Sequence, residues 1–130
     1  DIDHVRETAA ALAAQAHRAE AADALSRAIA QHGPDPALLS QALELETAIG
    51  RFAAALTRVD ALQAGAPRPE PWMARRAQIL AQAGNLRAAR ASWQALQRHL
   101  DALPTLERGA PAMRALANQA HAALAAQSQL

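Results

Sequence analysis

The sequence predicts an all-α fold, on three observations. Alanine, the strongest helix former, makes up about 30% of the 130 residues. Aromatic residues are 2% and β-branched residues sparse, which leaves strands little to be built from. The prolines between the helical stretches collect in HGPDP (32–36) and GAPRPEP (65–71), segments that cannot continue a helix. The length suits a single domain around one core.

Taken in order, helices are expected over 3–15, 18–31, 36–48, 51–64, 70–83 and 86–101. HGPDP stops the second, and His32 there suits the negative end of the helix dipole better than a role as catalytic base. Gly50 separates the third from the fourth and Gly84 the fifth from the sixth. Glycine inside a helix costs about 1 kcal/mol relative to alanine, so a tight turn is the economical explanation for both. Pro104 and Gly109 break the chain before a last helix at 112–127. Its Met113, Leu116, Ala120 and Leu124 fall at helical spacing and read as a cap, or else as a partner-binding stripe.

The sequence also answers itself at a shift of 34 residues. Gly50, Ala55, Val59 and Leu62 correspond to Gly84, Ala89, Trp93 and Leu96. Ahead of the turn, Leu38, Leu39 and Leu45 correspond to Trp72, Met73 and Ile79. One step further upstream, Ala16 stands for the glycine, Ala21 for the alanine and Leu25 for the large residue.

These units resemble tetratricopeptide repeats (TPR), helical hairpins of 34 residues. The third unit carries the likeness best, with Ala77, Leu80, Gly84, Leu86, Ala89 and Trp93 at the positions of the family's small, large, turn and aromatic residues. The second departs from it, with Leu43 at the small position and Glu46 at a large apolar one. In the first, Arg18 replaces the apolar residue that opens the second helix. The resemblance implies a right-handed superhelix of about seven helices in a single domain over 1–130. Its hairpins span about 3–31, 36–64 and 70–101, with a capping helix at about 112–127.

It further implies a concave groove lined by the first helix of each hairpin. That nominates Asp3, Arg6, Ala10 and Ala13, then Ala37, Ser40, Glu44 and Thr47, then Ala74, Gln78, Ala81 and Gln82. Such a groove is small-sided and mostly neutral, and suits an inserted helix or extended peptide of another protein; alternatively, its alanines reflect helix propensity alone. Arg6, Gln41 and Arg75 only partly replace the set with which some family members clamp a carboxylate, and Ala10 sits where an amide is needed.

Charge is uneven. Five Arg face nine acids in residues 1–65 and eight face three in 66–130, so the halves carry −4 and +5 within a total of +1. Arg87, Arg90 and Arg98, with Gln94, form a stripe on the sixth helix, to which Arg68, Arg75 and Arg76 add charge. This basic face could take an acidic ligand or nucleic acid, or the opposite halves could associate as a salt-sensitive homodimer. Readers of single strands need exposed aromatics, and two of Phe52, Trp72 and Trp93 fall on core positions, which disfavours nucleic acid. Arginine without lysine fits a GC-rich bacterial genome as readily as a binding requirement.

No motif for an enzyme, cofactor or metal stands out. There is no phosphate loop, no HExxH and no cysteine, and the five histidines are scattered. Asp1, Asp3 and His4 crowd together at a polar terminus. Glu44 and Glu46 diverge on their helix, and Glu46 is expected to be half-buried against an arginine of the next hairpin. The expected function is a non-enzymatic interaction scaffold. No apolar run is long enough to span a bilayer. The chain reads as soluble, with cytoplasm and periplasm both open, since the missing initiator Met leaves room for a removed signal segment.

Overall fold

The computed structural model describes residues 1–14 and 17–128, with the side chains of 12–14 left out of the description. Among the described residues the chain forms helices and no strand. In order these are α1 (Ile2–Ala14), α2 (Arg18–His32), α3 (Pro36–Ala48), α4 (Phe52–Gly65), α5 (Glu70–Gln82), α6 (Leu86–Asp101), α7 (Thr105–Arg108) and α8 (Pro111–Ser128). The expected count of about seven therefore becomes eight. The addition is α7, a single turn closed by the Arg108 N–H on the Pro104 carbonyl at 2.9 Å. A turn that short leaves no apolar periodicity to read.

The backbone accounts for both glycines. Gly50 and Gly84 each have φ near +81°, which a residue bearing a Cβ rarely adopts. At both turns the following residue reaches back five residues: the Arg51 N–H donates to the Glu46 carbonyl at 2.8 Å and the Asn85 N–H to the Leu80 carbonyl at 3.0 Å. This Schellman closure satisfies carbonyls that the helix end leaves open. Asn85 then caps α6 by accepting the Ala88 N–H, as Asp35 caps α3 by accepting the Leu38 N–H.

The contacts gather the chain into two compact units, Asp1–Gly65 and Ala66–Leu130. In the first, α1 packs on α2 and α3, α2 on α3, and α3 on α4. Ala9, Ala21, Leu25, Ala28, Leu38 and Ala42 form its core, and Leu39, Leu43, Ala55 and Val59 are buried as well. In the second, α5 pairs with α6, and α8 lies on both. Trp93, Leu96, Leu100, Met113 and Ala120 meet in its core, with Leu116 and Leu124 packed at the edge. The apolar stripe of α8 thus closes over the α5–α6 hairpin.

Burial follows the 34-residue register. Ala21, Ala55 and Ala89 are each fully buried, and so are their partners one turn on, Leu25, Val59 and Trp93. A small residue admits the neighbouring helix closely and a large one fills the space beside it. Ala16, which the register sets against the two glycines, lies outside the described residues.

Candidate functional site

In the first unit an open trough of about 640 Å³ runs between α1 and α3. Asp3, Arg6, Glu7 and Ala10 line it from α1; Ala37, Ser40, Gln41 and Glu44 line it from α3. On each helix these positions are three or four apart and so share one face. The Gln41 side chain donates to the Arg6 carbonyl at 3.2 Å, joining the two walls. Arg6 stands 3.9 Å from Asp3, a loose pair with both side chains well exposed.

Six of the eight residues that the sequence nominates in this unit therefore converge. Thr47 does not: its hydroxyl turns back to donate to the Leu43 carbonyl at 2.7 Å. The side chain of Ala13 lies outside the described residues. Glu7 and Gln41 complete the walls; from sequence Gln41 stands out only as a partial substitute in a carboxylate clamp, and Glu7 could have been found as the neighbour of Arg6 on the same helical face. Within this trough charge is denser than in the twelve nominated residues taken together. Half the lining residues are charged, with three carboxylates against one guanidinium. A smaller hollow of about 280 Å³, between α1 and α2, is lined by His4, Val5, Thr8, Ala24, Arg27, Ala28 and Gln31.

In the second unit Ala74 is 3% exposed and belongs to the core, so it offers no wall to a ligand. Gln78 and Ala81 are half-buried and Gln82 is exposed. Arg87, Arg90 and Arg98 are exposed along α6, while Arg75 and Arg76 are half-buried and engaged in polar contacts. Trp72 is half-buried; Leu106, on α7, is 91% exposed.

Among the described residues each unit buries one carboxylate side chain. Glu46 is 1% exposed and meets Arg58 through two hydrogen bonds of 3.1 and 3.0 Å, while Arg58 also donates to the Ser26 hydroxyl at 2.9 Å. The expected partner is corrected: Arg58 belongs to the same hairpin, one helix on, and Glu46 is fully buried. Arginine reaches back because α4 runs against α3 directly after the turn.

Glu70, 1% exposed, accepts two hydrogen bonds from Arg68 at 2.8 and 3.1 Å and faces His99 Nε2 at 2.6 Å. Arg68 reaches on to Glu107 at 3.5 Å. Burial pushes the Glu70 carboxyl up, but the hydrogen bonds from His99 and Arg68 outweigh it and hold the group below its ordinary value. The same contacts raise Arg68, chiefly its hydrogen bond to Glu70. With its oxygens occupied, Glu70 serves as a fastener between the α5 entrance and the end of α6.

Asp1 accepts the His4 N–H at 3.4 Å, as a residue capping a helix would. Among the described residues no three His, Asp or Glu side chains gather as metal ligands. No described helix is long and apolar enough to cross a membrane. No family model, curated protein or solved structure matches the chain.

Proposed function

We propose that this chain is a non-enzymatic, TPR-like interaction scaffold that takes a helix or extended segment of a partner protein in the α1–α3 trough. The observation that carries this is the convergence of Ala10, Ala37 and Ser40 on one open trough. Short side chains let a second backbone come close, and the charged residues beside them supply directional contacts. One helical turn is about 5.4 Å long and 10 Å wide with its side chains, so the trough has room for one to two turns. The twin closures at Gly50 and Gly84, and the burial of Ala21, Ala55 and Ala89 in one register, support the repeat reading beneath it.

The test is affinity capture from a lysate of the source organism with the wild-type chain and with Ala10→Trp, whose indole fills the trough from an exposed position. Circular dichroism checks that the variant folds. A protein retained through a high-salt wash by the wild type and lost by the variant supports the reading. Equal retention by both overturns it.

A further inference from the structure

We infer that the arginine face of α6 docks in the α1–α3 trough of a second copy of this chain. The inference rests on the trough described under the proposed function and names an occupant for it.

Both halves of the contact are built into one sequence. The trough is lined by Asp3, Glu7 and Glu44 with Arg6 as its one basic lining residue, in a half of the chain that carries −4; Arg6 stands loosely against Asp3, and Glu44 has an interaction of its own. The α6 face presents Arg87, Arg90 and Arg98, all exposed, in a half that carries +5. No acid stands three or four residues from Arg87 or Arg90 on α6, and these two arginines lie one turn apart. Like charges so placed weaken a helix by themselves, and an acidic surface set against them relieves that repulsion.

The lengths match over part of the face. Seven residues separate the ends of each trough wall, about 10 Å of helix, and eight separate Arg90 from Arg98, about 12 Å; Arg87 extends the face to about 17 Å, so Arg90 and Arg98 meet the trough and Arg87 lies beyond its end. Ala91, Gln94 and Ala95 on the same stretch are short or uncharged, so α6 can approach the alanine floor while its arginines reach the carboxylates. Opposite net charges on the two halves steer the encounter at low ionic strength. The contact is heterologous, joining different surfaces of the two copies.

The experiment is sedimentation equilibrium of the full chain at about 0.02 M and about 0.5 M salt, conditions that take the Debye length from tens of ångströms to a few. At low salt the average mass is expected to rise from the monomer's 13.7 kDa to twice that or beyond, and to fall back at high salt. Two charge reversals localise the contact. Asp3→Arg with Glu7→Arg makes the trough basic, and Arg90→Glu with Arg98→Glu makes the face acidic. Each variant alone is expected to stay monomeric at low salt, and an equimolar mixture is expected to associate, because each then carries what the other lacks.

A wild type monomeric at low salt overturns the inference, as does association that survives the reversals or a mixture that stays monomeric. A monomeric chain that binds a labelled oligonucleotide also overturns it, in favour of a polyanion on α6. Ala10→Trp separates the two levels. If the wild type is monomeric but this variant still loses a captured protein, only the second copy is excluded. If the variant changes neither capture nor self-association, the trough itself is excluded.

Discussion

Replacing Arg58 with methionine removes the one guanidinium that faces Glu46. The cost can be worked from the pair's surroundings. The Arg58 side chain is 15% exposed and the Glu46 side chain 2%, so neither loses its partner to water. Three hydrogen bonds vanish, two to the carboxylate and one to Ser26. Breaking a buried pair by removing one member costs about 3–5 kcal/mol, because a bare charge stays behind. The exposed pair Arg51–Asp23 is the internal control. Its 2.6 Å contact is shorter, but the side chains are 41% and 53% exposed, so Arg51→Met should cost under about 1 kcal/mol. Urea unfolding at pH 7, followed by far-ultraviolet circular dichroism, measures both. At a slope of about 2 kcal/mol per molar urea the first loss moves the midpoint by roughly 2 M. Glu46→Leu combined with Arg58→Met should return to within about 1 kcal/mol of the wild type, since no charge is then buried. An Arg58→Met cost below about 1 kcal/mol, or a double variant no more stable than the single one, would refute the account.

Three other perturbations test separate parts of the fold. Trp93→Ala should lose about 3–5 kcal/mol in the same assay, since its indole is 3% exposed among Leu96, Leu100 and Met113; a loss below about 1 kcal/mol would place it outside the core. Gly84→Val should lose roughly 1–2 kcal/mol from its positive φ alone, because an added Cβ meets nothing within 4 Å; an unchanged melting temperature would argue for a continuous helix. Glu70 has a folded value below its unfolded one, so its contribution is present above about pH 4.3 and fades as pH falls through the lower folded value. The stability gap between wild type and Glu70→Gln should therefore shrink between pH 6 and pH 3, and a gap that widens on acidification would contradict that sign.

Much of the fold was legible because helices are punctuated locally. Pro36, Gly50, Asn85 and Pro111 act within a turn of where they stand, and the 34-residue register carried the glycine turns, Ala89 and Trp93 into place. The site was legible in part. Positions three and four apart put Asp3, Arg6 and Ala10 on one wall whatever the tertiary fold, but the same spacing nominated Ala74, which belongs to a core cluster assembled with residues of α6 and α8. The Glu70 cluster left no local signal. Arg68 is two residues off and reads as loop charge, while His99 arrives from the end of α6. Glu46 was visible only as a departure, an acid where the repeat wants a large apolar residue, and its partner followed from the return of α4 along α3.

That departure also bears on how an alanine-rich unit fixes its own register. Alanine surfaces offer neighbouring helices few knobs of distinct size, so a slide along the interface changes little in packing. The Glu46–Arg58–Ser26 cluster is different, since a slide of one turn, about 5.4 Å, would separate its contacts of about 3 Å and strand a buried carboxylate. It ties α2, α3 and α4 together where Ala21, Ala22, Ala28, Ala42 and Ala55 are buried among Leu25, Leu38, Leu39, Leu43 and Val59. The double variant Glu46→Leu, Arg58→Met then divides two properties that the wild type holds together. Its unfolding midpoint should recover, but its amide resonances over residues 21–28 and 42–59 should broaden or double as more than one register is populated. A single sharp set of resonances would show that the apolar contacts specify the register unaided, and the pair would then be a neutral substitute for packing.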